Sequence, residues 1–159
     1  MLAALLLLVD LTNVSQTELQ KLIAFEDAYA RIFSLMQSEG GLTEGGVVIQ
    51  DCLSLLANLI RHSTSNQSLF RESGCVPRLV DLVRQATTSS PDENDYSRIN
   101  REKNVWGLLA VIRLFLEKGE MGTKANQDAF WKSGLVQRVL DLAFNSRTPI
   151  PIRASVSQA

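Results

Sequence analysis

Between Val47 and Val83 the apolar and polar positions follow a helical rhythm that the rest of the chain repeats less completely. Val48, Cys52, Leu55, Leu56 and Leu59 fall at i, i+4, i+7, i+8 and i+11, the stripe of an amphipathic helix over Val47–His62. Ser63, Thr64 and Ser65 follow, side chains able to accept from the free N–H groups of a helix start, and a short helix is predicted through Phe70. Gly74 supplies the left-handed residue that commonly closes a helix. Pro77 sits where its missing N–H is harmless, in the first turn of a third helix over Val76–Gln85. Long, short, medium, with a glycine between the last two: this is one unit of a helical repeat.

The flanks read as weaker copies. Met1–Leu11 is a run of apolar residues, predicted as a helix buried on most of its sides and ended by the Thr12-Asn13 turn. The run is too short to span a bilayer, and it lacks the basic start and small-residue cleavage site of a signal peptide. It begins at full hydrophobicity with no cap before it, as if the chain were cut inside an element. Ser15 and Glu18 form a capping box for the stretch to Ser38, which is either one long helix or two joined near Phe25. Gly40, Gly41, Gly45 and Gly46 break it off, and Thr43 is a candidate cap for the central unit. After Gln85 a polar stretch over 86–103 has no stable period and is expected to be the one long loop: a solvated insertion, or a site of phosphorylation or partner contact. Helices are then predicted over Asn100–Lys118, from a Thr123 cap to Trp131, and over Leu135–Asn145.

The copies can be set in register. Asn66–Val83 and Asn126–Ala143 are identical at nine of eighteen positions without a gap, at an offset of sixty residues. The inserted polar stretch accounts for an offset longer than the roughly 40–47 residues of armadillo and HEAT units. A looser copy at Phe25–Leu35 keeps the Phe and the Arg-apolar-apolar-polar-Leu ending but has no glycine between them. The motifs LVDL at 8–11, LANL at 56–59 and VIRL at 111–114 match in the long helices. The pattern predicts a single all-α domain over 1–159, an α-solenoid of about two complete plus partial repeats. Its units cover approximately 1–43, 44–99 and 100–145, and 146–159 begins a truncated further repeat. Because each unit buries its apolar face only against neighbours, apolar surface and self-association are expected at both ends.

Composition narrows the function without supplying a chemistry. The net charge is −1 and 45% of residues are hydrophobic, which excludes a polycationic nucleic-acid surface and a largely disordered chain. Cys52 and Cys75 lie at apolar helix positions, as buried reduced thiols do, with no partner at metal-ligand spacing. His62, the single histidine, stands at a polar helix end as a partner for the helix dipole. No Gly-Lys-Ser/Thr follows the glycine pairs, so no phosphate loop forms, and the 92–95 carboxylates read as a solvated loop. With no convergent polar set, neither an enzyme nor a cofactor or metal site is expected. A carrier with a cavity between helices ranks low, since no aromatic-lined polar constellation is visible.

The unit Leu56-Ala57-Asn58-Leu59…Asn66-Gln67…Gly74-Cys75-Val76-Pro77-Arg78-Leu79-Val80-Asp81-Leu82 resembles an armadillo repeat, which implies a right-handed superhelix. The stretches LLLLVDLTNVSQTELQKLIAFEDAYARIF, GGVVIQDCLSLLANLIRHSTSNQSLFRE and KANQDAFWKSGLVQRVL resemble the armadillo-like head of the general vesicular transport factors, up to about Asn145. That resemblance implies a fragment of a non-enzymatic tether in ER-to-Golgi and intra-Golgi transport. It also implies Rab GTPase, SNARE and golgin partners, a peripheral cytoplasmic place at Golgi and vesicle membranes, and a full-length homodimer through a coiled coil absent here. The alternative is another armadillo scaffold or adaptor. A nuclear-import adaptor is disfavoured, because Ser54, Leu109 and Leu6 stand where that family has its tryptophan ladder. Asp10, Asn58 and Arg113 occupy equivalent positions of successive long helices and are expected to line one polar partner-binding strip. As exposed positions, Asn58→Ala and Arg113→Glu are expected to cost under about 0.5 kcal/mol of stability.

Overall fold

The computed structural model describes residues 2–13, 17–87, 94–118, 121–144, 153, 154 and 156. Among these the chain is helical, with no strand. The helices bounded among the described residues are α1 (Leu2–Asn13), α2 (Thr17–Phe25), α3 (Ala28–Ser38), α4 (Gly41–Glu44), α5 (Gly46–Ile60), α6 (Thr64–Glu72), α7 (Val76–Ala86), α8 (Asp95–Phe115), α9 (Thr123–Lys132) and α10 (Leu135–Phe144). The long helices α1, α5 and α8 pack in sequence, α5 between the other two. Each is followed by a helix in the short place (α2, α6, α9) and one in the medium place (α3, α7, α10); the order read from the sequence holds in the first two units, at 9 and 11 residues, while α9 and α10 have 10 each.

α5 is buried on more than its predicted stripe. Ile49, Cys52, Leu53, Leu55, Leu56, Leu59 and Ile60 are all buried, because α1, α3, α6 and α8 surround it. α1 is the reverse. Among its described apolar side chains only Leu5 is buried, while Leu6, Leu7 and Leu11 are 44%, 58% and 45% exposed. The expectation of a helix buried on most sides therefore fails, since α1 is the outermost long helix and α5 covers one side of it.

Aromatic rings tie the units together. Phe70 of α6 meets Tyr29 and Phe33 of α3, with ring centroids 5.1 and 6.1 Å away, and Phe115 of α8 at 5.0 Å. Phe115 in turn meets Phe130 of α9 at 5.4 Å. Phe70 and Phe130 are the repeated phenylalanines, both buried. Phe25 is not their counterpart. It is 74% exposed, and burial of Gln20 and Gln67, Ile32 and Leu79, and Met36 and Val83 sets the true offset of the first unit at 47, which places Ile23 at the Phe70 position.

The stretch 17–38 is two helices, broken at Glu26 and Asp27. Asp27 has φ 61°, Gly74 φ 69° and Gly134 φ 78°, all at the same place in their units. The left-handed turn is thus kept in the first copy although its glycine is not. Residues 41–44, read as a break, form the one-turn α4, whose Leu42 is fully buried. Leu42 N–H donates to Gln85 Oε1 at 3.3 Å, and its carbonyl accepts from Asn104 Nδ2 at 2.9 Å. A Cβ on Gly41, which has φ +65°, would come within 2.4 Å of that Gln85 oxygen. Thr43 lies inside α4, and no side chain caps α5. Ser63 does cap α6, accepting from Asn66 N–H at 3.4 Å. Gly122, not Thr123, precedes α9, and the Thr123 hydroxyl donates to the Glu117 carbonyl at 2.6 Å. The Ser15 half of the predicted capping box and the tail from 145 to 152 lie outside the described residues.

The predicted loop is shorter than expected, because α8 starts at Asp95. Asn94 caps it, its Oδ1 accepting from Ser97 N–H at 2.8 Å. Arg98 pairs with Asp95 and Glu102 along the exposed side. The buried face of this first part consists of Asn100, Arg101 and Asn104, with Arg101 donating to the Ala86 carbonyl at 3.4 Å. They continue the stripe of Val105, Leu108, Leu109, Ile112 and Phe115 in polar residues, so hydropathy shows no period there.

Candidate partner-binding surface

The last carbonyls of a helix have no intrahelical donor and need one from elsewhere. In this chain the repeated Asn-Gln pair supplies it. Asn66 Nδ2 donates to the Leu59 carbonyl at the end of α5 (2.7 Å) and to the Gln20 carbonyl of α2 (3.1 Å). Gln67 Nε2 donates to the Ile60 carbonyl at 3.1 Å. Asn126, the copy of Asn66, donates from Nδ2 to the Phe115 carbonyl at the end of α8 and to Gln67 Oε1, both at 2.7 Å. Its Oδ1 accepts from Arg71. Each unit thus caps the long helix before it and reaches back to the preceding short helix. These residues recur because they hold units together.

Asn58 belongs to the same kind of clamp. It is 8% exposed, and its Nδ2 donates to the Val9 carbonyl at 3.1 Å and to Thr12 Oγ1 at 3.2 Å. Its own carbonyl accepts from Gln20 Nε2 at 2.9 Å. The sequence-based placement of Asn58 on an exposed strip is therefore corrected: α1 lies over it, and the amide pins α1 to α5. Asp10 and Arg113 are exposed, on α1 and α8, on the two sides of α5. The structure brings the three helices together but leaves only the outer two side chains at the surface.

Between the outer pair, α5 and α8 enclose a shallow groove of about 270 Å³, lined by Gln50, Leu53, Ser54, Ala57, Lys103, Gly107 and Ala110. Gly107 lets the helices approach, since a Cβ there would sit 3.1 Å from Leu53 Cδ1. Arg113 follows Ala110 by three residues and so continues the α8 wall of this groove. Lys103 and the half-exposed Trp106 stand on the same helix, about three and two turns before it. Periodicity of apolar residues could not reveal this groove, because it is built from small and polar side chains.

Burial pushes the Cys52 thiol up to about 12, reinforced by the charges of Asp51 and Glu39, and burial likewise raises Cys75. Both stay protonated and unreactive near neutrality. Tyr29 is raised by burial, and its hydroxyl donates to the Asn66 carbonyl at 3.0 Å. Desolvation raises Asp51, whose Oδ2 is buried without a protein partner. Among the described residues no three His, Cys, Asp or Glu side chains converge as a metal site would require. No described helix is long and apolar enough to cross a membrane.

Stacked units with a long-short-medium helix order, an aromatic spine and amide clamps define the class: a helical-repeat scaffold of the armadillo-like solenoid type. The chain is 39% identical over 150 residues to the intracellular protein transport protein USO1 of Saccharomyces cerevisiae, a match covering 94% of this chain and 8% of that protein. It is 30% identical over 149 residues to the general vesicular transport factor p115 of Homo sapiens, covering 92% of this chain and 15% of that one. The fold superposes on the crystal structure of Uso1-2 with a TM-score of 0.86 at 37% identity, covering 96% of this chain and 22% of that one. No family model matches the chain. It is a homologue of the Uso1/p115 vesicular transport factors and corresponds to less than a quarter of the length of each of these relatives.

Proposed function

We propose that this chain is a protein-interaction module of a vesicle-tethering factor in ER-to-Golgi and intra-Golgi transport, with no catalytic step of its own. The observation that carries the reading is 39% identity to USO1 along almost the whole chain, on a fold with a TM-score of 0.86 to Uso1-2. On this reading its partners are proteins of the docking machinery: a Rab GTPase, SNAREs and golgins. They hold it at the cytoplasmic face of Golgi and vesicle membranes. The contact surface is the outer side of the long helices, from exposed Asp10 on α1, past Ser54 on α5, to Lys103 and Arg113 on α8.

The test is a chimera in which this chain replaces the matching stretch of yeast USO1. Growth and ER-to-Golgi cargo transport are expected to be kept, and to fall when Asp10→Lys and Arg113→Glu are introduced together. A chimera that accumulates at normal levels yet fails to support transport defeats the tethering reading. A charge-reversed chimera that works as well as the parent removes the surface from it.

A further inference from the structure

Stacking covers the sides of a long helix and leaves one face open. α5 has a long helix on either side of it, α1 and α8, yet Ser54 stays exposed, and Gln50 and Ala57 beside it are only partly buried. The groove of about 270 Å³ between α5 and α8 opens on this face, with Lys103, Gly107 and Ala110 in its second wall. Both walls belong to helices packed directly on each other, and the neighbouring long helix α1 does not fill the opening.

The groove has cations at both ends. Gln50, Ser54, Ala57 and Arg61 fall at i, i+4, i+7 and i+11, one stripe of α5. Arg61 follows the last residue of the helix, its N–H still donating to the Ala57 carbonyl at 3.0 Å, and its side chain is exposed. Lys103 stands at the other end, about 16 Å away along the helix direction, and Arg113 continues the α8 wall towards the Arg61 end. Among the described residues none of these three cations has a carboxylate within 4.0 Å, whereas Arg84, Arg98 and Arg138 on other faces each do. Glu102, next to Lys103, is held by Arg98 at 3.6 Å, and Glu117 lies a turn beyond Arg113. The chain as a whole carries a net charge of −1, so the positive field is local to this face. The volume falls below the roughly 300–1,000 Å³ of small-molecule sites, and a helix about 10–12 Å across does not enter it. Its small walls admit a side chain or two of a segment lying along it.

On the reading of this chain as a protein-interaction module, we propose that the α5–α8 groove takes an extended acidic segment of a partner protein. Carboxylates of the segment meet Lys103 at one end and Arg61 and Arg113 at the other, and an uncharged side chain between them sits over Ser54 and Gly107. An extended chain covers that span in about five residues.

The probe is a pool of fluorescein-labelled octapeptides with two glutamates at each end of four uncharged residues, titrated with the whole chain in fluorescence anisotropy. Binding is expected, weakened by added salt, with amide shifts in heteronuclear NMR centred on Ser54 and Gly107. Lys103→Glu and Arg61→Glu are each expected to weaken it about fivefold, and together to transfer binding to the same pool with lysines in place of glutamates. Ser54→Trp, which fills the groove and leaves every cation, is expected to abolish binding. All three positions are exposed and circular dichroism checks the fold; the charge reversals decide the matter if Ser54→Trp does not fold. No binding, binding that survives the double reversal or a folded Ser54→Trp, or shifts centred elsewhere overturns the proposal. Phosphatidylserine vesicles bound in place of the peptides overturn it in favour of a membrane contact. If the USO1 chimera supports transport while the chain ignores the peptides, this proposal falls and the tethering reading stands; peptide binding by a chain whose chimera fails does the reverse.

Discussion

At the scale of the residue, position in the repeat and role in the fold part company at Asn58 and Asp27. Asn58 matches exposed Asp10 and Arg113 in sequence, yet its amide holds the Val9 carbonyl and the Thr12 hydroxyl beneath α1. Removing it leaves buried groups without a donor, which costs about 1–3 kcal/mol. Asn58→Ala is expected to lower stability by that amount in urea unfolding, several times what the exposed reading allows; a loss below about 0.5 kcal/mol would restore that reading. Asp27 carries the left-handed turn that Gly74 and Gly134 carry elsewhere. An L-residue there is strained by about 1–2 kcal/mol, partly offset by the greater freedom of glycine in the unfolded chain. Asp27→Gly is expected to stabilise the protein by about 0.5–1 kcal/mol, read as a rise in the urea midpoint. A lower midpoint would mean that the Asp side chain does more than fill a turn.

At the scale of the element, the short helix α6 is a spacer whose one large aromatic residue joins three units. Phe70 touches Tyr29, Phe33 and Phe115, so truncating it empties the junction of α3, α6 and α8 together. Phe70→Ala is expected to cost about 3–5 kcal/mol. Because stability in a stacked repeat is shared between neighbours, hydrogen exchange should quicken in α3 and α8 as well as in α6. Exchange that quickens in α6 alone would mean the units are independent. α8 shows how an element escapes a reading by hydropathy. Its stripe continues through Asn100, Arg101 and Asn104, polar residues that face the interior, and its start is marked only by the Asn94 cap.

At the scale of the whole molecule, the described residues form a stack in which each unit packs on the next. Covering the inner faces accounts for a buried core running from Leu5 of α1 to Leu142 of α10. Leu7, Leu22 and Phe25 of the first unit and Leu140 and Phe144 of α10 are exposed. Contacts that hold a stack together are local, so a fragment of the length of a few units keeps the fold of far longer relatives. The same geometry places the three long helices side by side and makes a continuous outer surface of residues distant in sequence.

What the sequence determined by itself was whatever depends on near neighbours along the chain. The helix order follows from apolar spacing and from Gly74 and Gly134, and the register of the second unit on the third follows from the Asn-Gln, Phe and Arg-x-x-Asp-Leu matches, while that of the first unit had to come from burial. The class of protein follows from the same motifs. Tertiary structure decided which of two equivalent residues is covered, because that depends on what the neighbouring unit lays over it. α1 lies over Asn58 and nothing comparable lies over Arg113, so one became a clamp and the other a surface cation. It also decided that 95–103 is helix, since an inward polar stripe leaves no hydropathic period, and that Leu6, Leu7 and Leu11 of α1 are exposed, since burial of a helix depends on which neighbours pack on it and the local sequence does not encode them.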